Sequence, residues 1–583
     1  MSRRDRWQAA ATRYANRYHA WRAVRARPAT AFRYSPEPRA VGSLARGRQL
    51  CAGNLLFAGH LVEAPGVPIW DVSPPDAAFE EELHGFGWLD DLAAASDPVA
   101  RATAQAWVWG WIDRFGDGRG AGWLPDLAGR RILRMTHHTI FLLHGQDCKR
   151  SRAFHRAMGA QTLFLARRWP STRPGLPRFE ALAGLVYAAL SLEGMEPHLP
   201  PALKGLEAEC GRQIDEGGGI PTRNPEELLE IFTLLAWVAH ALDEAGQAAG
   251  AAHRAALRRI APTLRALRHS DGGLARFHGG GRGAEGWLDM ALATSGVKPR
   301  PASGLAMGFA RLSGGRTSVI VDAAAPPAGA ASLNAHASTL AFELTSGRRP
   351  LIVSCGAGAV FGSDWRRAGR ATPSHSALCL DGYSSARLGG PGHVGAALRE
   401  TLEDGPTRVP VELRATETGQ RIEAGHDGYA AYHGLTHARQ MELTRDGRGL
   451  VGEDMLVALT DADKRRFGTR LAAGRDGIPF QIRFHLHPEV DAELDMAGGA
   501  VSLALPSGEV WVLRHDHKAI LDLEASVYLE KGRLRPRASK QVVLSGRAMQ
   551  YATRVRWSIA KARETAIALR DVGEVHADAE EES

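Results

Sequence analysis

Between Asp76 and Leu292 apolar residues recur at three- and four-residue steps, in segments parted by Gly/Pro turns, which is the signature of amphipathic helices. Leu228, Leu229, Ile231, Phe232, Leu235 and Val238 show the stripe most plainly. The spacing predicts helices over Pro98–Phe115, Arg131–His144, Ser151–Arg168, Arg178–Glu193, Ala202–Ile214, Pro225–Glu244 and Ala251–His269. Antiparallel pairing is their economical packing, and periodicity leaves a bundle, a solenoid or a ring open. Around Val297–Gly304 prolines and a glycine interrupt the pattern, and the period then drops to two. Short, turn-bounded strands are expected at Ser318–Val321, Leu340–Leu344, Leu351–Val353, Leu378–Leu380, Arg408–Leu413, Phe480–Leu486, Val510–Leu513 and Gln541–Leu544, which describes an antiparallel β-sandwich. The expected organisation is α+β and multidomain: an N-terminal basic and aromatic extension (1–75), a helical domain (76–296), a linker (297–304), a β-domain (305–560) and a tail (561–583).

Length supports this division, since 583 residues exceed the size at which one core keeps growing. Lysine plus arginine exceed aspartate plus glutamate by 72 − 64 = 8, a modest excess that favours an anionic partner without naming it. Arg3, Arg4, Arg6, Arg13, Arg17, Arg22, Arg25 and Arg27 crowd the start, interleaved with Trp7, Tyr14, Tyr18 and Trp21 on a predicted helix. With no nucleic-acid module in the chain, this reads as a surface helix that lays its aromatic side against the body, and no nucleic-acid partner is expected. Asp578 to Glu582 reads as a solvated tail. No apolar run follows the basic start as in a signal peptide, and none approaches the roughly 18 apolar residues of a membrane span. The cysteines Cys51, Cys148, Cys210, Cys355 and Cys379 are odd in number and scattered, which fits reduced thiols. The oligomeric state leaves no trace in the sequence.

Two histidines stand immediately before apolar runs, His336 in Asn334–Leu344 and His375 in Arg370–Gly382. Each is expected at the mouth of a strand, and together they suggest one cluster. These stretches resemble the heparinase II/III-like family of polysaccharide lyases. Further matches are Gly217–Pro225, Asp271–Gly279, Gly428–Tyr429 before Gly434–His437, Arg483–Pro488 and Glu524–Tyr528, so the resemblance covers most of the chain. It implies that the helices form an incomplete α/α toroid followed by the β-sandwich, and that the substrate is an acidic, uronate-containing polysaccharide or oligosaccharide. It also implies a periplasmic or cell-envelope location, with the cytoplasm as the alternative given the lack of a visible leader.

Lyases of this kind cleave by β-elimination, which requires neutralising the C5 carboxylate, removing the neighbouring proton and protonating the leaving oxygen. General acid–base groups contribute about 10² to 10⁴-fold each. Arg223 lies where the resemblance places the carboxylate partner, its alternative being helix-entry capping or an ion pair. Asn224 is either a substrate contact or the N-cap of the helix that Pro225 begins. The family's histidine in this motif falls on Ile220, and the tyrosine used as base by many relatives is absent, leaving His278 as its replacement and Arg276 as a source of positive charge. In the β-domain Asn334, His336 and Ser338 fall on the family's His-x-His-x-Asp element, with Asn334 beside the expected substrate. The resemblance further implies a structural metal, for which His336, Cys355 and His375 offer zinc nitrogen and sulfur, a hydrogen-bonded histidine pair being the alternative reading of the same residues. Tyr429 is a candidate for stacking on a sugar ring, or else for sheet packing.

Other features carry less. His485 and His487 share one face of a strand, Trp107, Trp109 and Trp111 cannot all share a helix face, and Asp71 with Glu80 to Glu82 forms no carboxylate pair of known separation. No nucleophile elbow, phosphate loop or dinucleotide fingerprint occurs. Two functions stay in competition: a lyase using Arg223 with His278, His336 or His375, and a catalytically degenerate carbohydrate-binding or envelope-associated protein of the same fold.

Overall fold

The computed structural model describes residues 3–26, 29, 31–34, 36–298, 304–390, 392–394, 397–473, 476–495 and 497–563. Arg27, the linker residues Pro299–Ser303 and the acidic stretch Asp578–Glu582 lie outside them, as do the side chains of Arg3, Arg4 and Arg6.

The helical half follows the apolar stripes. The helix Pro225–Glu244 buries Leu228, Leu229, Ile231, Phe232, Leu235 and Val238, and Pro125–His137 packs on Leu176–Ser191, where Gly129 and Gly184 let the backbones approach closely. The expected helix Arg131–His144 is broken: one helix ends at His137 and a short one runs Thr139–Leu143, because His138 leaves the helical region and pairs with Asp90 at 2.9 Å. Trp107 and Trp109 are nearly buried and Trp111 fully so, all in the core.

Residues before Asp76 belong to this same body. Ala20, Leu50, Leu55, Phe57 and Ile69 join the helical core, and the helix Arg3–Val24 lies along Cys148–Arg168. The expectation that its aromatic side faces the body is corrected. Trp7 and Tyr14 are 78% and 75% exposed, while Asn16, Ala20 and Ala23 make the contact, small side chains that allow two helices to approach.

Among the described residues the β-half is built on two antiparallel sheets of eight strands each, with two further two-stranded pairs between Arg387 and Glu403. One runs, in spatial order, Val411–Ala415, Gly419–His426, Thr436–Thr444, Gly449–Val457, Ala552–Arg563, Val510–His515, Ala500–Ala504 and Asp491–Leu494. The other runs Ile520–Tyr528, Arg537–Ala548, Ile478–Leu486, Arg349–Val353, Phe342–Ser346, Thr317–Asp322 and Phe309–Gly314, with Leu378–Leu380 paired to Ile478–Leu486 off that path. Phe342 of the second sheet stacks on Trp557 of the first, ring centres 5.7 Å apart and ring planes nearly parallel, inside a shared core. No helix among the described residues is long and apolar enough to cross a membrane.

The two halves meet through a common apolar seam. Phe309 and Ile320 belong to the helical core, whereas Leu312 and Val319 on the same strands belong to the sandwich core. Phe277 from the helical side lies 5.1 Å from Phe309, ring centre to ring centre.

Candidate functional site

The sequence-predicted residues from the two halves converge on this seam. Arg223 and His278 both adopt left-handed backbone conformations, φ 51° and 50°, in the turns that carry their side chains towards the sandwich. His336 is not at a strand mouth as expected. It follows a 3-10 turn, Gly329–Asn334, and the strand begins only at Phe342, because Leu340 (φ 66°) turns the chain first. His375 directly precedes the strand Leu378–Leu380, as the pattern indicates.

Arg223 points into the β-half and makes five hydrogen bonds there. Nε donates to Met307 O (3.0 Å), Nη1 to Ala325 O (2.8 Å) and Ala324 O (3.3 Å), and Nη2 to Gly308 O (3.0 Å) and Asp322 Oδ1 (2.6 Å). A guanidinium has five N–H groups, so none is left for a substrate carboxylate. Its face lies 4.7 Å from the Phe309 ring, and a Cβ on Gly308 would stand 2.8 Å from Nε, so that position has room only for glycine.

Asp322, fully buried, is the residue that sequence reading missed. Its Oδ2 accepts from Ser338 Oγ (2.6 Å) and faces His278 Nε2 at 3.4 Å. Burial pushes its carboxyl up, but Arg223, then His278 and Ser338, outweigh that and hold it well below the usual carboxylate range. The available signal was a lone carboxylate closing the apolar run Ser318–Val321.

The imidazoles form a file. His278 and His336 ring centres are 6.1 Å apart, His336 and His375 5.0 Å. His278 Nδ1 accepts the backbone N–H of His336 (3.1 Å), and His336 Nε2 accepts that of Gly279 (3.0 Å). Each therefore uses its basic lone pair on a backbone amide, and the ring proton sits on the other nitrogen. Among the described residues His375 has no hydrogen-bond partner at either nitrogen, and none meets His336 Nδ1 or Ser354 Oγ. Burial lowers all three histidines: His278 despite Asp322, His336 well below its usual value with help from His375, and His375 to about 3. All three are at most 1% exposed.

The remaining candidates have surroundings of other kinds. Asn224 caps the helix Pro225–Glu244, its Oδ1 accepting from Glu226 N (3.0 Å) and Glu227 N (3.2 Å). Arg276 donates to the carbonyls of Ser354, Cys355 and Leu529 and lies 4.0 Å over the Tyr528 ring. Tyr429 is buried, its hydroxyl donating to Leu378 O, so it offers no face to a sugar. Asn334 is exposed at the rim, against Gly279. Cys355 faces His485 (Sγ to Nδ1 3.5 Å) and Ser526, and burial of its thiol is outweighed by His485, which lowers its pKa. The thiol is thus turned to His485, which in turn lies near enough to His375 to lower it. Among the described residues no group of three or more His, Cys, Asp or Glu side chains is arranged to hold a metal ion.

Known proteins share this architecture. The C-terminal heparinase II/III-like family profile matches residues 296–558. The FtsZ-localized protein C of Caulobacter vibrioides is 30% identical over 541 residues, 90% of this chain and 89% of that one. The crystal structure of heparinase III superposes with a TM-score of 0.67 at 13% identity, covering 93% of this chain and 88% of that one. A heparan sulfate lyase HepC mutant from Pedobacter heparinus superposes at 0.58 and 12% identity, covering 96% and 89%. At such identities the structures establish the toroid-and-sandwich fold; profile, relative and fold together place the chain in the heparinase II/III-like family.

Proposed function

We propose that this protein is a non-cleaving member of its family that works by binding, at a site of FtsZ assembly. The observation that carries the reading is the saturation of Arg223: all five of its N–H groups have protein acceptors, so a C5 carboxylate would find no donor there. The bases support it as well. The lone pairs of His278 and His336 already hold backbone N–H groups, and His375 is sealed from solvent. β-Elimination needs a free cation and a free base facing the same sugar, and this seam supplies neither without separating. The relative named for its location with FtsZ supports the cellular part of the reading.

One observation favours retained lyase activity: Arg223, His278, His336 and His375 stand together, drawn from both halves of the chain. The two readings separate on incubation of the purified protein with heparan sulfate, chondroitin sulfate and alginate, followed by the absorbance of unsaturated uronides. The expected result is no rise above a protein-free control. A rise that is lost in His375→Ala would establish the lyase. A fluorescent fusion should concentrate where FtsZ does, and an even distribution would remove the cellular part.

A further inference from the structure

Away from the seam, the helical half carries a groove that nothing above accounts for. It has two limbs. One is a cavity of 710 Å³ walled by Val41, Ala93, Ala94, Ile140 and Phe141, with Val41 and Ile140 71% and 78% exposed on its rim. The other, of 620 Å³, is walled by Trp88, Trp237 and Trp287 together with charged side chains, and the two adjoin at Ala40, Val41 and Asp90.

The charge of the second limb runs against that of the protein. Its arginines are each paired to a carboxylate: Arg130 to Glu180 (2.7 Å), Arg134 to Asp90 (3.1 Å) and Arg46 to Asp91 (3.5 Å). Glu82, Glu230 and Glu285 remain on its wall without an ion-pair partner among the described residues, in a chain whose overall excess is positive. Burial, reinforced by Glu226 and only partly offset by Lys531, pushes the Glu230 carboxyl up to about 8, so a cation docked beside it would favour its ionised form. In the first limb His137 is 3% exposed, packed edge-on between Tyr187 and Trp237, and neither ring nitrogen has a hydrogen-bond partner among the described residues. It is an unanswered donor and acceptor in a cavity wall.

We infer that this groove docks an extended segment of a partner protein in which basic side chains alternate with apolar ones. The apolar limb takes the aliphatic side chains, the unpaired glutamates take lysine or arginine, and His137 takes a backbone amide or carbonyl. Branched aliphatic groups on the rim of the first limb suit aliphatic peptide side chains, and in the second limb Trp88 and Trp237 are too buried, at 1% and 9% exposed, to offer open ring faces to a sugar. The inference rests on the binding reading above and gives it a site.

The test uses the full-length protein and three labelled synthetic peptides of equal length, one alternating leucine with arginine, one leucine with glutamate and one serine with arginine, followed by fluorescence anisotropy. The leucine–arginine peptide should bind, the other two at least tenfold more weakly, and Glu230→Gln combined with Glu285→Gln should cost tenfold or more, as should Ile140→Ser. Val451→Ser, on the far sheet, should change nothing. Equal binding of the leucine–glutamate peptide, no binding of any peptide, or indifference to the groove substitutions would overturn the proposal, as would a glucosamine oligosaccharide that binds through Glu230 where the peptide does not. Loss of the peptide result with no uronide release sinks the docking site alone, whereas uronide release sinks the binding reading itself.

Discussion

Arg223 Nη2 and Asp322 Oδ1 stand 2.6 Å apart across 99 residues of sequence, and this pair fastens the helical half to the sandwich. The same contact gives the Arg223 guanidinium a counter-charge within the protein itself.

Removing that counter-charge should be costly. Asp322→Ala leaves a guanidinium buried with carbonyl partners only, and breaking a buried pair from one side typically destabilises by about 3–5 kcal/mol. Urea unfolding should show a loss of that order, and a change below about 1 kcal/mol would mean that the carbonyls of Met307, Gly308, Ala324 and Ala325 suffice.

Acid should weaken the fold early. Burial brings His84, His137, His375 and His487 to about 3 from an unfolded value near 6.5, so the unfolded chain binds more protons below 6.5. Their contribution is therefore complete above 6.5 and is lost progressively as pH falls from 6.5 towards 3. At pH 5 each accounts for up to about 2 kcal/mol. The depressed carboxyls of Asp322 and Asp454 lose their contribution only below about 4, so a denaturation midpoint constant from pH 7 to pH 5 would contradict the buried, neutral histidines.

Asn224→Ala should cost about 1 kcal/mol through the lost cap, while Asn224→Asp, which keeps the acceptor at the helix N-terminus, should cost less. Thermal unfolding of both variants checks this, and equal losses would point to a role beyond the cap.

Gly452 faces Trp557, where a Cβ would lie 2.1 Å from the indole ring. Gly452→Ala should destabilise by about 1–3 kcal/mol through overpacking between two central strands. The readout is the denaturant midpoint together with near-ultraviolet dichroism of the tryptophans.

Elements written in local periodicity were legible. The stripe of Pro225–Glu244, the Asn224–Pro225 start and the strands around Val319, Ile482 and Leu544 follow from spacing and turn chemistry alone. The gathering of Arg223, His278, His336 and His375 was legible through family likeness. What could not be read was the state of these groups. Arg223 is occupied by carbonyls 84 to 102 residues away, and a backbone carbonyl has no signature in a sequence. For the same reason the amides of His336 and Gly279, which occupy the two imidazole lone pairs, were invisible, as was the burial that turns Tyr429 from a sugar platform into a core side chain. Asp322 was missed because an aspartate at the end of an apolar strand ordinarily reads as the first residue of a turn.

The strand Phe309–Gly314 places Phe309 among the helices and Leu312 inside the sandwich, three residues apart. Melting either half strips apolar cover from the other, so calorimetry should show a single cooperative transition in which neither half survives the other as an independent intermediate.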